Sequence, residues 1–158
     1  MSSSPRVLSG DLLNQVITRY HQENKKIVFT NGCFDLLHIG HVRYLEEAKK
    51  LGDILVVGIN TDASVQKLKG PTRPIQNEND RSEILAALKA VDHTVLFGDE
   101  TPLNLIQQIK PHVLVKGGDW KIEQIVGSEF VLSHGGQVKS LQFVDGRSTT
   151  RIIEKSKT

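Results

Sequence analysis

Five short runs rich in β-branched and apolar residues punctuate the chain: Ile27–Thr30, Ile54–Ile59, Thr94–Phe97, His112–Lys116 and Gln137–Phe143. The first four are almost wholly apolar, which suits strands covered on both faces. Between the runs the hydrophobic spacing lengthens to that of a helix. Val42, Leu45, Ala48 and Leu51 recur at three-residue steps, with Arg43, Glu46, Glu47, Lys49 and Lys50 between them. Ile84, Leu85, Leu88 and Val91 repeat the pattern, as do Leu103, Leu105, Ile106 and Ile109. Ser9–Glu23 reads as an N-terminal helix capped by Ser9, with Leu12, Leu13, Val16 and Ile17 as its apolar face. Ser148–Lys155 reads as a short helix with Ile152 and Ile153 inward. The alternation predicts an α/β fold, a Rossmann-like three-layer α/β/α sandwich around a five-stranded parallel sheet with right-handed crossovers. Lys67–Asp80 carries two prolines, a glycine and no helical period. It is the longest predicted loop, and loops of that length are usually functional or mobile.

A length of 158 residues suits one domain over 1–158, with helix 9–24 preceding a core over 25–158. With 38% hydrophobic and 24% charged residues, extensive disorder is excluded. The 20 basic residues exceed the 18 acidic ones by two and are spread along the chain, so no nucleic-acid footprint forms. A small anionic ligand still fits that charge. The single cysteine excludes an internal disulfide and a cysteine-rich zinc module, and suits a reducing compartment. No apolar run nears the roughly 20 residues of a membrane span, and no apolar signal core follows Met1-Ser2-Ser3-Ser4-Pro5. The expectation is a cytoplasmic protein without a membrane or nucleic-acid partner. The N-terminal helix could cover the chain's own core or a second copy, which leaves a homo-oligomer open.

In an open parallel sheet, ligands bind beyond the C-terminal strand ends where the winding reverses, and the unusual residues fall there. After the first run comes Thr30-Asn31-Gly32-Cys33-Phe34-Asp35-Leu36-Leu37-His38-Ile39-Gly40-His41. Gly32 permits a tight turn, and on a helical first turn His38 and His41 share a face. Gly40 between them removes a side chain where a ligand would approach. Two imidazoles beside a helix N-terminus can donate to phosphate oxygens and stabilise charge that develops there. The same residues also suit a helix cap beside a surface histidine, or a metal pair with Asp35 as the third ligand near in sequence. After the fourth run, Lys116-Gly117-Gly118-Asp119-Trp120 exposes backbone that could read a base edge or cradle a phosphate. Asp119 could accept from ribose hydroxyls and Trp120 could wall a pocket, while a plain glycine turn with a packing tryptophan fits as well. Asp145-Gly146-Arg147-Ser148-Thr149-Thr150-Arg151 could cap a helix, or add hydroxyls and the charge of Arg147 or Arg151 to a phosphate site.

Lys69 and Arg73, in the long loop, could close over a phosphorylated substrate or merely be solvated. Arg81 sits at a helix start, where a cation is unfavourable, which suggests either a ligand or pairing with Glu78 or Asp80. Cys33 is either a reactive thiol or a small packing residue. The first strand is not followed by GxGxxG, which argues against a dinucleotide-binding dehydrogenase.

His38-Ile39-Gly40-His41 resembles the HxGH signature of the cytidylyltransferase-like nucleotidyltransferases, and Ser148-Thr149-Thr150 resembles their closing serine/threonine motif. From about Lys25 to the C-terminus the chain is most similar to the ADP-heptose synthase domain of that family. The similarity runs through Phe29–His41, Gly58–Val65, Val115–Trp120 and Asp145–Thr150. It implies adenylyl transfer from ATP, with Mg²⁺ on the triphosphate, to D-glycero-β-D-manno-heptose 1-phosphate, a step toward the lipopolysaccharide core. Many relatives fuse this domain to a sugar kinase, and the expectation here is the stand-alone form. By the same resemblance His38 and His41 stabilise the reacting phosphate. Cys33, Phe34, Gly40, Lys116, Gly117, Gly118, Asp119, Ser148 and Thr149 shape the nucleotide site, and Asp35, Lys69 and Arg81 face the sugar phosphate. No protein metal ligand is implied. The nearest alternatives are a cytidylyltransferase acting on glycerol 3-phosphate or ethanolamine phosphate, and a non-catalytic nucleotide-binding module.

Overall fold

A computed structural model describes residues 4–143 and 146–157. Each apolar run forms a strand: β1 (Ile27–Gly32), β2 (Ile54–Asn60), β3 (His93–Phe97), β4 (Val113–Gly117) and β5 (Gln137–Leu141). All pair in parallel in the order β3-β2-β1-β4-β5. The helices are α1 (Gly10–Gln22), α2 (Ile39–Lys49), α3 (Asp62–Lys69), α4 (Glu78–Ala86), α5 (Leu103–Ile109), α6 (Ser128–Ser133) and α7 (Thr149–Ser156).

The strands sort their side chains by the two-residue period of extended chain. Ile27, Phe29, Val56 and Leu114 bury against Leu13, Val16 and Ile17 of α1 and Leu105, Ile106 and Ile109 of α5. Val28, Leu55, Val57, Ile59, Val113 and Val115 bury on the opposite face against Tyr44, Leu45 and Ala48 of α2 and Leu85 of α4. This is the expected three-layer Rossmann-like architecture, with two apolar layers around one sheet. The apolar face of α1 is therefore spent on the chain's own core. Winding proceeds outward from β1 to β3, then returns to place β4 on the other side of β1, so the crevice lies between β1 and β4.

Several local expectations are corrected. The irregular stretch shrinks from Lys67–Asp80 to the residues between α3 and α4, because Thr61 and Asn77 cap those helices by accepting from the Ser64 and Asp80 N–H groups. The helix expected around Ile84–Val91 lies earlier, at Glu78–Ala86, and α3, α6 and the 3₁₀ turn Ile122–Gln124 were not anticipated. Ser9 precedes α1 without a side-chain cap bond, and Leu12 is exposed rather than part of the buried face. β5 stops before Phe143. α7 buries none of its side chains, and Ile152 is exposed rather than inward. Among the described residues no helix is long and apolar enough to cross a membrane.

Candidate active site at the β1–β4 crevice

The two histidines are fixed by the start of α2. His38 is its N-cap, and its Nδ1 accepts from the Gly40 N–H at 3.1 Å. The His41 Nδ1 accepts from the His38 N–H at 3.4 Å, which completes a reciprocal capping box made of imidazoles. The rings stack with centroids 3.8 Å apart. An Nδ1 that accepts from an amide carries no proton, so both neutral rings hold their hydrogen on Nε2. No described residue takes that hydrogen. The helix-cap role is taken by Nδ1 of each ring, and Nε2 is left as a donor without an acceptor among the described residues.

Burial, then the neighbouring His38 and Lys69, pushes the pKa of His41 down to about 4. Burial and Arg147 also lower that of His38. A nuclear magnetic resonance titration of the ligand-free protein is expected to give His41 a midpoint near 4 rather than the ordinary 6.5. The unfolded chain binds that proton first as pH falls. The neutral ring therefore contributes stability that is complete above about pH 6.5 and declines toward pH 4. A midpoint above 6 would mean that the ring is hydrated and loosely held.

Gly40 has a different use from the one expected. It is buried, and a Cβ there would meet the His38 ring at 2.8 Å, so its bareness accommodates that ring rather than a ligand. Phe34 is buried in the left-handed region at φ +47° and sets its ring edge-on to His41, with centroids 5.2 Å apart.

His41 lines a cleft of about 170 Å³ together with Asn31, Gly32, Cys33, Phe34, Asp35, Lys69, Arg73, Phe143 and Thr149. An adjoining slot of about 70 Å³ is walled by Asn31, Leu114, Val115, Lys116, Trp120 and Ile125. A wider basin of about 610 Å³ joins His38 to Gly146, Arg147, Ser148, Arg151 and Ile152. The three motifs therefore meet: His41 with Thr149, His38 with Ser148, and both strand ends through Asn31.

At the end of β4, Gly118 takes φ +109° and its carbonyl accepts from the Ser140 hydroxyl. The ring of Phe143 covers Gly117 and leaves no room for a Cβ. Trp120 donates its Nε1 hydrogen to the Gly117 carbonyl at 3.1 Å, and the Lys116 ammonium lies 5.3 Å from its ring centre. Asp119 is exposed and lines neither the slot nor the cleft. At the start of α7 the Ser148 Oγ accepts from the Arg151 N–H at 3.1 Å, and its own hydrogen has no acceptor among the described residues. Thr149 donates to the Leu36 carbonyl at 2.7 Å and so has no hydroxyl hydrogen left for a ligand. Asp145 lies outside the described residues.

The residues expected to face the sugar phosphate fall into different roles. Lys69 is exposed and lines the cleft. The Asp35 side chain is fully covered and accepts from Arg73 Nε at 2.8 Å and from the Ile75 and Gln76 N–H groups. Burial would raise its pKa, but the Gln76 and Ile75 amides and Arg73 outweigh that and hold it below the usual carboxylate range. Arg81 is fully buried and donates to the carbonyls of Gln76, Cys33 and Asn60 and to Asp62 Oδ1 at 2.7–3.0 Å. Its partner is Asp62, neither Glu78 nor Asp80, and it braces the loops instead of reaching the cleft. Burial raises the Cys33 pKa despite nearby Lys69, Arg81 and Arg73, which makes it a protonated wall residue rather than a reactive thiol. Asn31 and Phe143 were missed, although a polar residue closing an apolar strand and an aromatic just past another are both visible signals. Among the described residues no three His, Cys, Asp or Glu side chains gather as a metal site.

Comparison with known proteins agrees with this geometry. The sequence model of the family described as Cytidylyltransferase-like matches residues 29–155. The bifunctional protein HldE of Citrifermentans bemidjiense is 58% identical over 153 residues, which are 97% of this chain and 31% of that protein. HldE of Magnetococcus marinus is 56% identical over 152 residues, 96% of this chain and 31% of its own length. This chain thus spans less than a third of these curated relatives. The crystal structure of the lipopolysaccharide core biosynthesis protein from Thermoplasma volcanium superposes with a TM-score of 0.62 at 33% identity, covering 76% of this chain and 97% of that one. The histidine-capped helix at the sheet's switch point and a match over most of the length lead to one assignment: the chain belongs to the cytidylyltransferase-like family of nucleotidyltransferases.

Proposed function

We propose that this domain moves AMP from ATP to D-glycero-β-D-manno-heptose 1-phosphate, releasing pyrophosphate and forming ADP-heptose for the lipopolysaccharide core. The observation that carries the reading is the imidazole capping box, which keeps two neutral Nε2–H donors unspent at the crevice. The acceptor phosphate is already an anionic nucleophile, so no general base is required. Alignment for in-line attack on the α-phosphorus, and donors for charge spreading over its oxygens, are sufficient. His38 and His41 supply those donors. The slot between Lys116 and Trp120 takes the base, the neighbouring Asp119 accepts from the ribose, and Gly117 and Gly118 offer backbone beside them. Phe34 and Cys33 wall the cleft, and the Ser148 hydroxyl with the first N–H groups of α7 meets the phosphates. Lys69 adds positive charge on the acceptor side. Mg²⁺ would enter on the triphosphate and neutralise its outer charge, since Asp35, the carboxylate lining the cleft, is already spent on Arg73 and two amides.

The reading is tested by pyrophosphate release across ATP, CTP, GTP and UTP paired with heptose 1-phosphate, glycerol 3-phosphate and ethanolamine phosphate. ATP with heptose 1-phosphate is expected to exceed every other pair by at least tenfold. A preference for CTP with either smaller acceptor, or ATP binding without turnover, would replace it with one of the two alternatives.

A further inference from the structure

Arg73 is held by one edge only. Its Nε donates to Asp35 at 2.8 Å, while among the described residues neither terminal Nη nitrogen has a protein acceptor. The side chain is nonetheless only 12% exposed and lines the cleft beside His41 and Lys69. Ser128 Oγ is the sole buried side-chain nitrogen or oxygen without a partner among the described residues, so the Arg73 terminal nitrogens stay open to the cleft, free to donate there. Anchoring the loop does not explain them, because Asp35 already receives the Ile75 and Gln76 amides and Arg81 holds the Gln76 carbonyl. Two parallel Nη–H donors match two oxygens of a phosphate, a geometry that an ammonium cannot reproduce.

Topology then indicates which phosphate. Arg73 follows β2 and α3, on one side of β1, whereas the Lys116–Trp120 slot and β5 lie on the other. His41 stands on the element that follows β1, between the two sides. An in-line displacement needs its nucleophile opposite its leaving group; the leaving pyrophosphate falls to the basin of His38, Ser148 and Arg151, which Arg73 does not line, and this leaves the Arg73 side for the attacking phosphate. We infer that Arg73 binds the attacking phosphate of the acceptor through its Nη edge, and that Asp35 is a positioning residue which aims that edge without touching substrate. The inference rests on the nucleotidyl-transfer reading and names the residue that selects a phosphorylated acceptor.

The test compares the wild type with Arg73→Lys, Asp35→Asn and the double variant, each checked by circular dichroism melting. Arg73→Lys is expected to raise the acceptor KM at least tenfold and to leave the KM for ATP within twofold. Asp35→Asn is expected to raise the acceptor KM similarly in the wild type but not further on the Arg73→Lys background, because both changes remove one function. Equilibrium binding of inorganic phosphate by calorimetry needs no turnover. It is expected to weaken by at least tenfold in Arg73→Lys while ATP binding holds. If heptose 1-phosphate is not turned over yet phosphate binding depends on Arg73, the substrate assignment fails and this inference stands. Phosphate affinity and acceptor KM unchanged in Arg73→Lys, a wild type that binds no phosphate, or equal losses for ATP and acceptor would overturn it.

Discussion

Replacing His41 by alanine is expected to lower turnover by about 10²–10³-fold, the usual cost of removing one donor aimed at developing charge, and to leave ATP binding little changed. The asymmetry follows from the position of the ring. In the proposed reaction its Nε2–H addresses a charge that is larger in the transition state than in bound ATP, so the loss is expected in kcat and only weakly in the affinity of the ground state. The substitution also removes the Nδ1 acceptor of the His38 N–H. That is one half of a helix cap, worth about 1 kcal/mol, so the melting temperature falls by only a few degrees. His38→Ala removes a donor and the N-cap together and should cost similar turnover with a larger loss of stability. Because the stacked rings support one another, the double variant should be little slower than either single one. Near wild-type turnover in folded His41→Ala would remove the histidines from the chemistry. A collapse of ATP affinity would move their contribution to the ground state.

Replacing Arg81 by methionine is expected to lower the melting temperature markedly. The guanidinium is fully buried and satisfies three carbonyls from separate segments as well as Asp62. An apolar side chain leaves those acceptors without partners and Asp62 without its counter-charge, a loss of about 3–5 kcal/mol. At this chain length that corresponds to a melting temperature lower by roughly 10 °C. Lysine should rescue little, since one ammonium cannot span four acceptors arranged around a planar group. Activity falls too, because the Cys33 carbonyl lies in the segment leading to the histidines and the Gln76 carbonyl in the loop that carries Arg73. Differential scanning calorimetry checks the first effect. An unchanged melting temperature combined with lost acceptor affinity would restore Arg81 as a substrate contact.

Arg81 also marks where reading the sequence stops. A cation at a helix start suggests a ligand or a nearby acidic partner, but three of its four acceptors, at Cys33, Asn60 and Asp62, are distant in the chain, and only the fold assembles them. Four strands are legible because burial on both faces demands continuous apolar runs, while β5, a half-exposed edge strand, shows only the weaker signal of Val138 and Leu141. The histidine pair was legible because three-residue spacing at a helix start has few geometries. Which ring nitrogen caps and which stays free depends on side-chain rotation, and that has no signature in spacing. Asp35 shows the same limit. A carboxylate beside a histidine motif suggested substrate or metal, yet it is consumed by Arg73 and two amides from a loop that composition alone made too long. α3 is absent from the sequence pattern and α4 is displaced in it, because their caps Thr61 and Asn77 flank or fall within a stretch whose prolines and glycine hide the helical period.

The most direct measurement follows an isotope. ATP labelled with ³²P at the α-phosphorus is incubated with Mg²⁺, heptose 1-phosphate and the protein. Label is expected to pass into a nucleotide sugar in equal amount to the pyrophosphate released, and His41→Ala to slow this transfer at least a hundredfold. Label confined to ATP, or to ADP formed by transfer of the γ-phosphate, would contradict the proposed reaction.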